Sequence, residues 1–450
     1  MKLNKKFFTV KSYKCNISSM KDIRTIFFFG VICFSMLMIL TGCNNSEQTN
    51  TSQPDKTVSE TKLETQIITK AKNRSLEIAN FYKSIYVKAE KTTSDTFPNE
   101  TTIPQKDIDE IESLLIEQGY SVINTDNKYP AYLENNEGFY SFWKSVCENK
   151  KAEQEFITVT ETGGLYYSLM LYSNGEKNRV FISVDWDKNN EPMVSSNEYQ
   201  TITDWELSDK GDFYYKSYFT GVPFDDYALI RLKPVDKTLY DLTDKYISPI
   251  GYLSNNMFVC DWTSDDYGDL AFNDLLEFFY KVKYNAYFNA QDYESIYEPY
   301  YHSNIPAELY EKTVFPYFDI SLEEFRVRSL YDAEHNTYPW QEICCENVTY
   351  YPSVEPEVIR YQDNKDGTFT LTVNARCNDY KTDRLFTHEV IIRPLSDDEY
   401  KLRAAVFKLF NSHGQNLNSI KYKAGRGATG DEMVTPTRRL HTLSALRGCR

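Results

Sequence analysis

Between Glu155 and about residue 235 the chain breaks into short runs rich in Tyr, Phe, Val and Ile, each closed by a turn signal. The runs read "EFITVTE", "LYYSLMLYS", "NRVFISVDW", "DFYYKSYF" and "YALIRLK", with Gly-Gly, Asn-Gly, "DKNNEP" and "GVPFDD" among the separators. Strand-forming runs spaced about ten residues apart predict neighbouring strands folded back on one another. We therefore expect an antiparallel β-meander of five or six strands over 155–235. The turns Asn174-Gly175 and Lys210-Gly211 supply the residues that positive φ requires. Such a sheet needs a cover on at least one face, and the upstream chain supplies helices. Ile67, Ala71, Ile78, Phe81, Tyr82, Ile85 and Ala89 recur at helical spacing and predict an amphipathic helix over about 64–90. "PQKDIDEIESLLIEQG" predicts a second helix, with Pro104 at its start, acids in its first turn and Gly119 at its end.

Beyond Pro249-Ile250-Gly251 a second unit begins. "DLAFNDLLEFFYKVKYNAYF" reads as an apolar helix, and Ser321 with Glu324 in "ISLEEFRVRSL" resembles a capping box. "PEVIRYQDNKDGTFTLTVNARC" reads as two strands joined at "DNKDG", and "LFTHEVIIRPL" as a third. The expected class is α+β: N-terminal helices plus an antiparallel meander, then a second domain of helices and a curled antiparallel sheet. By analogy alone, the second domain is of the cystatin or nuclear-transport-factor kind. "VFPYFDISLEEFRVRSLYD", "DGTFTLTVNARC" and "THEVIIRPL" resemble the C-terminal part of uncharacterised surface lipoproteins of Clostridia-type, Gram-positive bacteria, over about 250–400. That resemblance implies an address and a fold; it implies no activity.

The front of the chain points to the same address. "IFFFGVICFSMLMIL", Ile26 to Leu40, is an almost uninterrupted apolar run preceded by Lys21 and Arg24. At about 1.5 Å per residue it spans roughly 22 Å, short of the ~30 Å hydrocarbon core. It therefore suits a signal peptide better than a permanent span. Leu40-Thr41-Gly42-Cys43 resembles the lipobox of bacterial lipoproteins. The resemblance implies recognition of Leu40, Thr41 and Gly42 by the signal peptidase, cleavage before Cys43, and diacylglyceryl on the Cys43 thiol. The expected organisation is a signal peptide over 1–42, a lipid-anchored disordered tether over 43–62, and folded domains over 63–250 and 251–410. "SPIGYLSNNMF", residues 248–258, reads as the short connection between those domains. We take translation to start at Met20, because the signal needs nothing ahead of "MKDIRTIFFFG".

Charge narrows the partners. The chain carries 50 Lys+Arg and 65 Asp+Glu. Residues 1–42 hold 7 basic and 1 acidic side chains, and 411–450 hold 7 and 2, so 36 and 62 remain for 43–410, a net charge of −26. A body this acidic repels nucleic acid and anionic headgroups, which excludes nucleic acid as a partner. The 411–450 segment reverses to +5, holds Tyr422 as its one aromatic residue and has no amphipathic period. We read it as a disordered tail or the product of a frameshift or fusion, a natural basic tail being the alternative.

Nine cysteines remain to be placed. In an oxidising compartment Cys377 pairs best with one of the vicinal Cys344 and Cys345, for which we take Cys345; buried free thiols are the alternative. The five histidines, His302, His335, His388, His413 and His441, form no HExxH or HxH, so no metal ligand is assigned and no cofactor is expected. Ser141 and Lys144 match SxxK, but no KTG follows. Asp261, Asp265, Asp266, Asp269 and Asp274 crowd one stretch without EF-hand spacing and read as the acidic approach to a helix N-terminus. Thr387-His388-Glu389 sits on an expected strand, and His388 reads as a surface or core histidine.

The catalytic assignment is therefore none. The expectation is a non-enzymatic binding or accessory lipoprotein on the outer face of the cytoplasmic membrane. Its partners are the membrane through the lipid, and cell-wall glycan or another surface protein. The competing reading is a hydrolase of cell-wall or other glycan with an unrecognised carboxylate pair. The 36 Tyr, 27 Phe and 5 Trp offer rings to stack on sugars, although sheet and core packing use the same residues.

Overall fold

The computed structural model describes residues 58–93, 101–125, 128–217, 227–289, 295–297, 302–341, 354–396 and 399–408. The leader with Leu40, Thr41, Gly42 and Cys43, the Cys344-Cys345 pair and the basic tail lie outside the described residues. From Ser59 onward the chain belongs to one compact unit, within which two lobes carry separate hydrophobic clusters. Its class is α+β, as the sequence patterning requires.

The first lobe opens with helices α1 (Val58–Lys88) and α2 (Gln105–Glu117), linked past a ribbon of β1 (Thr92–Thr93) and β2 (Thr101–Thr102). Then come β3 (Val122–Asn124), β4 (Tyr132–Glu134), α3 (Glu137–Cys147) and β5 (Ala152–Val159). They are followed by β6 (Leu165–Ser173), β7 (Glu176–Trp186), β8 (Pro192–Leu207), β9 (Asp212–Ser217) and β10 (Ala228–Arg231). The sheet runs β10-β9-β8-β7-β6-β5-β3-β4, antiparallel except between β3 and β5, and curls until β4 lies against β10. The expected meander is thus six of eight strands.

Both faces of the central strands are covered. Phe156, Met170 and Tyr172 meet Phe139 and Phe142 of α3. Ile157, Val159, Leu165 and Tyr167 meet α1 and α2. This explains why β6 is apolar at nearly every position and why Phe156 and Ile157, neighbours on β5, are both buried. On α1 the buried stripe is Ala71, Ser75, Ile78, Ala79, Tyr82 and Tyr86, while Phe81, placed by spacing on the inner face, is 46% exposed. The β6–β7 turn places Asn174 at φ 51 and Gly175 at φ 86, as its sequence demands. Gly164 is needed for a different reason: a Cβ there would lie 2.3 Å from the Val184 carbonyl oxygen.

The second lobe begins with α4 (Lys237–Leu242), which continues as a π-helical turn over Thr243–Ile247. Strand β11 (Trp262–Thr263) and a 3₁₀ turn over Phe272–Leu275 lead into α5 (Leu276–Tyr284). Next come β12 (Ser295–Tyr297), β13 (His302–Pro306), α6 (Ala307–Val314), α7 (Leu322–Arg328) and β14 (Thr337–Gln341). The lobe closes with β15 (Val354–Asp363), β16 (Phe369–Cys377), β17 (Thr382–Pro394) and β18 (Tyr400–Lys408). The main sheet is ordered β11-β18-β17-β16-β15 and a smaller one β12-β13-β14.

The segment 248–258 belongs inside this lobe. Ile250, Tyr252, Met257 and Phe258 are buried in its core, and Asn255 is fully enclosed. Asparagine side chains replace the missing ladder bonds of this irregular stretch. Asn255 donates to the carbonyls of Ile250 (3.1 Å) and Leu253 (3.0 Å), and Asn256 to that of Asp269 (2.8 Å). Pro, Gly and Asn, which suggest a linker, here shape a buried coil. At α7, Ser321 Oγ accepts from the Glu324 N–H (3.1 Å), while the Glu324 carboxylate turns to Arg328 (2.8 Å), so the cap is one-sided.

Candidate functional site

A cleft of about 440 Å³ opens in the first lobe where the end of α2, the start of α3 and β5 meet. Its wall is Gly119, Tyr120, Ser121, Asn135, Glu137, Gly138, Gln154 and Glu155. Local chain chemistry builds it. Helix α2 ends through Gly119 at φ 86, which turns the chain sharply past the helix end. Asn135, itself at φ 52, donates to the carbonyls of Ile116 (2.8 Å) and Tyr120 (2.9 Å), fastening the approach to α3 onto the end of α2. Ser121 Oγ donates to the Asn135 carbonyl (2.9 Å) and accepts from Gln154 Nε2 (3.1 Å). Gly138 leaves room for the Gln154 amide, whose oxygen would lie 2.8 Å from a Cβ at that position.

One wall of the cleft is held by charge. Glu155 Oε1 accepts from Arg74 (3.1 Å) and Oε2 from the Tyr167 hydroxyl (2.9 Å). The same guanidinium lies 5.0 Å from the centre of the Tyr120 ring. Glu155 holds the Arg74 pKa above its ordinary value, and burial raises that of Tyr167, so both remain donors to the carboxylate. The cleft therefore offers amides, a hydroxyl, an aromatic ring and two carboxylates, with the oxygens of one acid already committed. Such a lining suits a neutral, hydroxyl-rich ligand that accepts and donates hydrogen bonds.

The sequence candidates lie elsewhere. Ser141 Oγ bonds back to the Glu137 carbonyl (3.0 Å), the ordinary use of a serine on a helix surface. His388 is fully buried, with Nε2 2.9 Å from the Tyr252 hydroxyl and its ring stacked 5.1 Å from Phe258. Burial pushes its pKa down to about 3, which makes it a neutral core residue. The aspartates do not converge. Asp261 accepts from the Phe407 N–H (2.7 Å), Asp266 from that of Gly268 (3.0 Å), and Asp274 is half-buried, with its pKa pushed up to about 6 by desolvation. Among the described residues no group of three or more His, Cys, Asp or Glu side chains is placed to hold a metal ion. Cys377 is a buried free thiol whose pKa burial raises; Cys345 lies outside the described residues.

Exposed rings gather at the end of α5. Tyr280 packs 4.6 Å from Tyr284 and 5.2 Å from Phe288, and Tyr287 is 53% exposed. The cleft residues carried no motif in the sequence. Besides Gly119 at the end of α2, their one signal was "LENNEGFY", an Asn-rich helix start directly before an aromatic helix.

Residues 68–403 match a family of unknown function (DUF6070), and the chain belongs to that family. No curated protein and no solved structure matches it.

Proposed function

We propose that this DUF6070 member is a lipid-anchored protein of the outer face of the cytoplasmic membrane that binds a neutral glycan in the Tyr120 cleft without turning it over. The observation that carries the binding half is the composition of the cleft. Amide, hydroxyl and carboxylate groups line it beside one ring, and Arg74 and Tyr167 occupy the oxygens of Glu155. Arg74 and Tyr167 hold Glu155 in the wall on both of its oxygens, a positioning arrangement that accounts for this carboxylate without assigning it to an acid–base pair with Glu137. The net charge of −26 over 43–410 favours a neutral ligand over an anionic one. The address rests on the apolar run, the Leu40-Thr41-Gly42-Cys43 motif and the polar spacer after it.

Gly138→Leu is the direct test of binding. Gly138 lies in the first turn of α3 without positive φ, so a side chain there meets only the Gln154 amide, which it pushes aside, and blocks the cleft without backbone strain. Titration of cell-wall and chitin oligosaccharides should show saturable binding to the native chain and at least about tenfold weaker binding to the variant, a difference of about 1.4 kcal/mol. Hydrolysis of the oligosaccharide by the pure protein would replace this reading with the glycan-hydrolase one. Cys43→Ala should release the protein from the membrane fraction and abolish any lipid mass on it. Unchanged fractionation of that variant would overturn the anchor.

A further inference from the structure

The apolar clusters stop between the lobes. Those of the first lobe extend no further along the chain than Leu232, the buried cluster of the second begins at Tyr246, and they share no residue. Charge crosses the gap instead. Arg231 at the end of β10 lies 3.6 Å from Glu357 on β15, and Lys210 lies 3.8 Å from the other oxygen of that carboxylate. Lys381, in the β16–β17 turn, reaches Asp204 (2.6 Å) and Glu206 (3.1 Å) on β8. Deeper in the seam, Asp212 faces Arg231 at 3.9 Å and feels Arg376, Glu357 and Asp383 of the second lobe, while Arg376 pairs with Glu355.

This seam is enclosed but poorly bonded. Lys210 Nζ, Arg376 Nη1 and the Tyr214 hydroxyl are buried donors without a direct hydrogen-bond partner, and Asp212 Oδ2, Glu357 Oε2 and Asp383 Oδ2 are acceptors in the same condition. Asp212, Tyr214 and Arg376 are each at least nine-tenths buried. Ions held at 3.6–3.9 Å have surrendered hydration without gaining short bonds. Parting the lobes would return water to all six groups and would break no hydrophobic core. The covalent link across the gap includes α4, which runs on into a π-helical turn, a rare irregularity frequent at functional positions. This link touches both sides: Asp241 pairs with Lys128 of the first lobe (2.9 Å), and Thr243 Oγ1 accepts from the Val358 N–H of the second (2.9 Å).

We infer that the lobes open and close as intact bodies about the connection over residues 233–242, ahead of the buried Tyr246 and Ile247, with the Arg231, Lys210 and Lys381 ion pairs as an electrostatic latch. The partly exposed Lys210 and Lys381 pairs weaken when salt shortens the Debye length from about 10 Å at 0.1 M to about 3 Å at 1 M, the enclosed Asp212–Arg231 pair is screened less, and the cores do not respond. Hydrogen exchange on the full mature chain tests this across that salt range. Peptides 208–217, 227–233 and 354–363 should exchange at least about tenfold faster at high salt, with β6, β7 and residues 386–394 unchanged. Lys381→Ala, which removes only the two partly exposed pairs to Asp204 and Glu206, should produce the same regional acceleration at lower salt. Equal acceleration of seam and core, or no salt response at the seam in the native chain, would overturn the latch whether or not the variant folds.

Discussion

In the first lobe helices cover both faces of one sheet, so β5 and β6 send alternate residues into two cores; in the second a single core receives nearly everything, and irregular chain supplies much of it. The first arrangement leaves a periodic trace in the sequence. The second leaves almost none, because Tyr252, Met257, Phe258, Tyr267 and Phe272 reach the core from coil and short turns. What replaces the ladder there is side-chain bonding. Trp262 Nε1 donates to the Met257 carbonyl (2.8 Å), Tyr310 to that of Phe272 (2.6 Å), and Asn273 to those of Ser329 (2.9 Å) and Pro339 (2.7 Å). A core can thus be as tightly specified by coil as by strands, provided each buried backbone group finds a partner.

The largest effect should come from the ring at the centre of the coil-built core. Phe272 lies 4.9 Å from Phe318, 5.3 Å from Phe325 and 5.5 Å from Tyr267. Phe272→Ala should cost about 3–5 kcal/mol of unfolding free energy in urea, as large as any sheet-core truncation in the first lobe. A loss under about 1.5 kcal/mol would mean that the coil packs loosely and the two lobes are not equivalent.

A sharper distinction lies in acid. His388 is neutral in the native lobe down to about pH 3, against 6.5 when exposed, and Asp274 holds its proton up to about 6, against 3.8. Between about pH 4 and 6 the unfolded chain binds the imidazole proton that the native chain lacks, and the native chain keeps the Asp274 proton that the unfolded one has lost. The two slopes oppose and cancel. His388→Phe should therefore make stability fall by about 1.4 kcal/mol per unit as pH rises from 4 to 6, and Asp274→Asn should make it rise by as much, relative to the native chain. Urea midpoints at the two ends of that window read both slopes; parallel curves for all three proteins would show that these groups are not desolvated as described.

Smaller effects test the helices. Ser321→Ala removes the one side-chain cap of α7 and should cost about 1 kcal/mol by the same urea measurement. Phe81→Ser should change stability by less than about 0.5 kcal/mol, because that ring faces away from the sheet. A larger loss would put Phe81 back on the buried stripe to which its spacing assigned it.

Much of the fold was legible where one face of an element meets one environment. The α2 boundaries followed from Pro104 and Gly119, the β15–β16 hairpin from "DNKDG", and the β6–β7 turn from Asn174-Gly175, since caps and turns are local chemistry. Strand β8 was not legible. Its first half, "PMVSSNEY", lies largely outside both cores, so hydrogen bonding to β7 is what makes it a strand. The closing strand β18 lies before the basic tail, at Tyr400–Lys408, where "YKLRAAVFK" alternates weakly. Of the cleft only the α2 end at Gly119 was read, because its walls come from three elements brought together by the curl of the sheet.

By itself the sequence determined the α+β class, the long first helix, five of the meander strands, the three-stranded run of the second lobe and the acidity of the body, all properties of local periodicity and composition. Only the tertiary structure decided that 248–258 is core, that His388 is uncharged, that Phe81 faces outward, and that Arg231, Asp212, Glu357 and Arg376 share one enclosed seam. The physical reason is common to these cases. Burial and charge pairing are set by what lies across space, and the partners here stand tens to more than a hundred residues away along the chain.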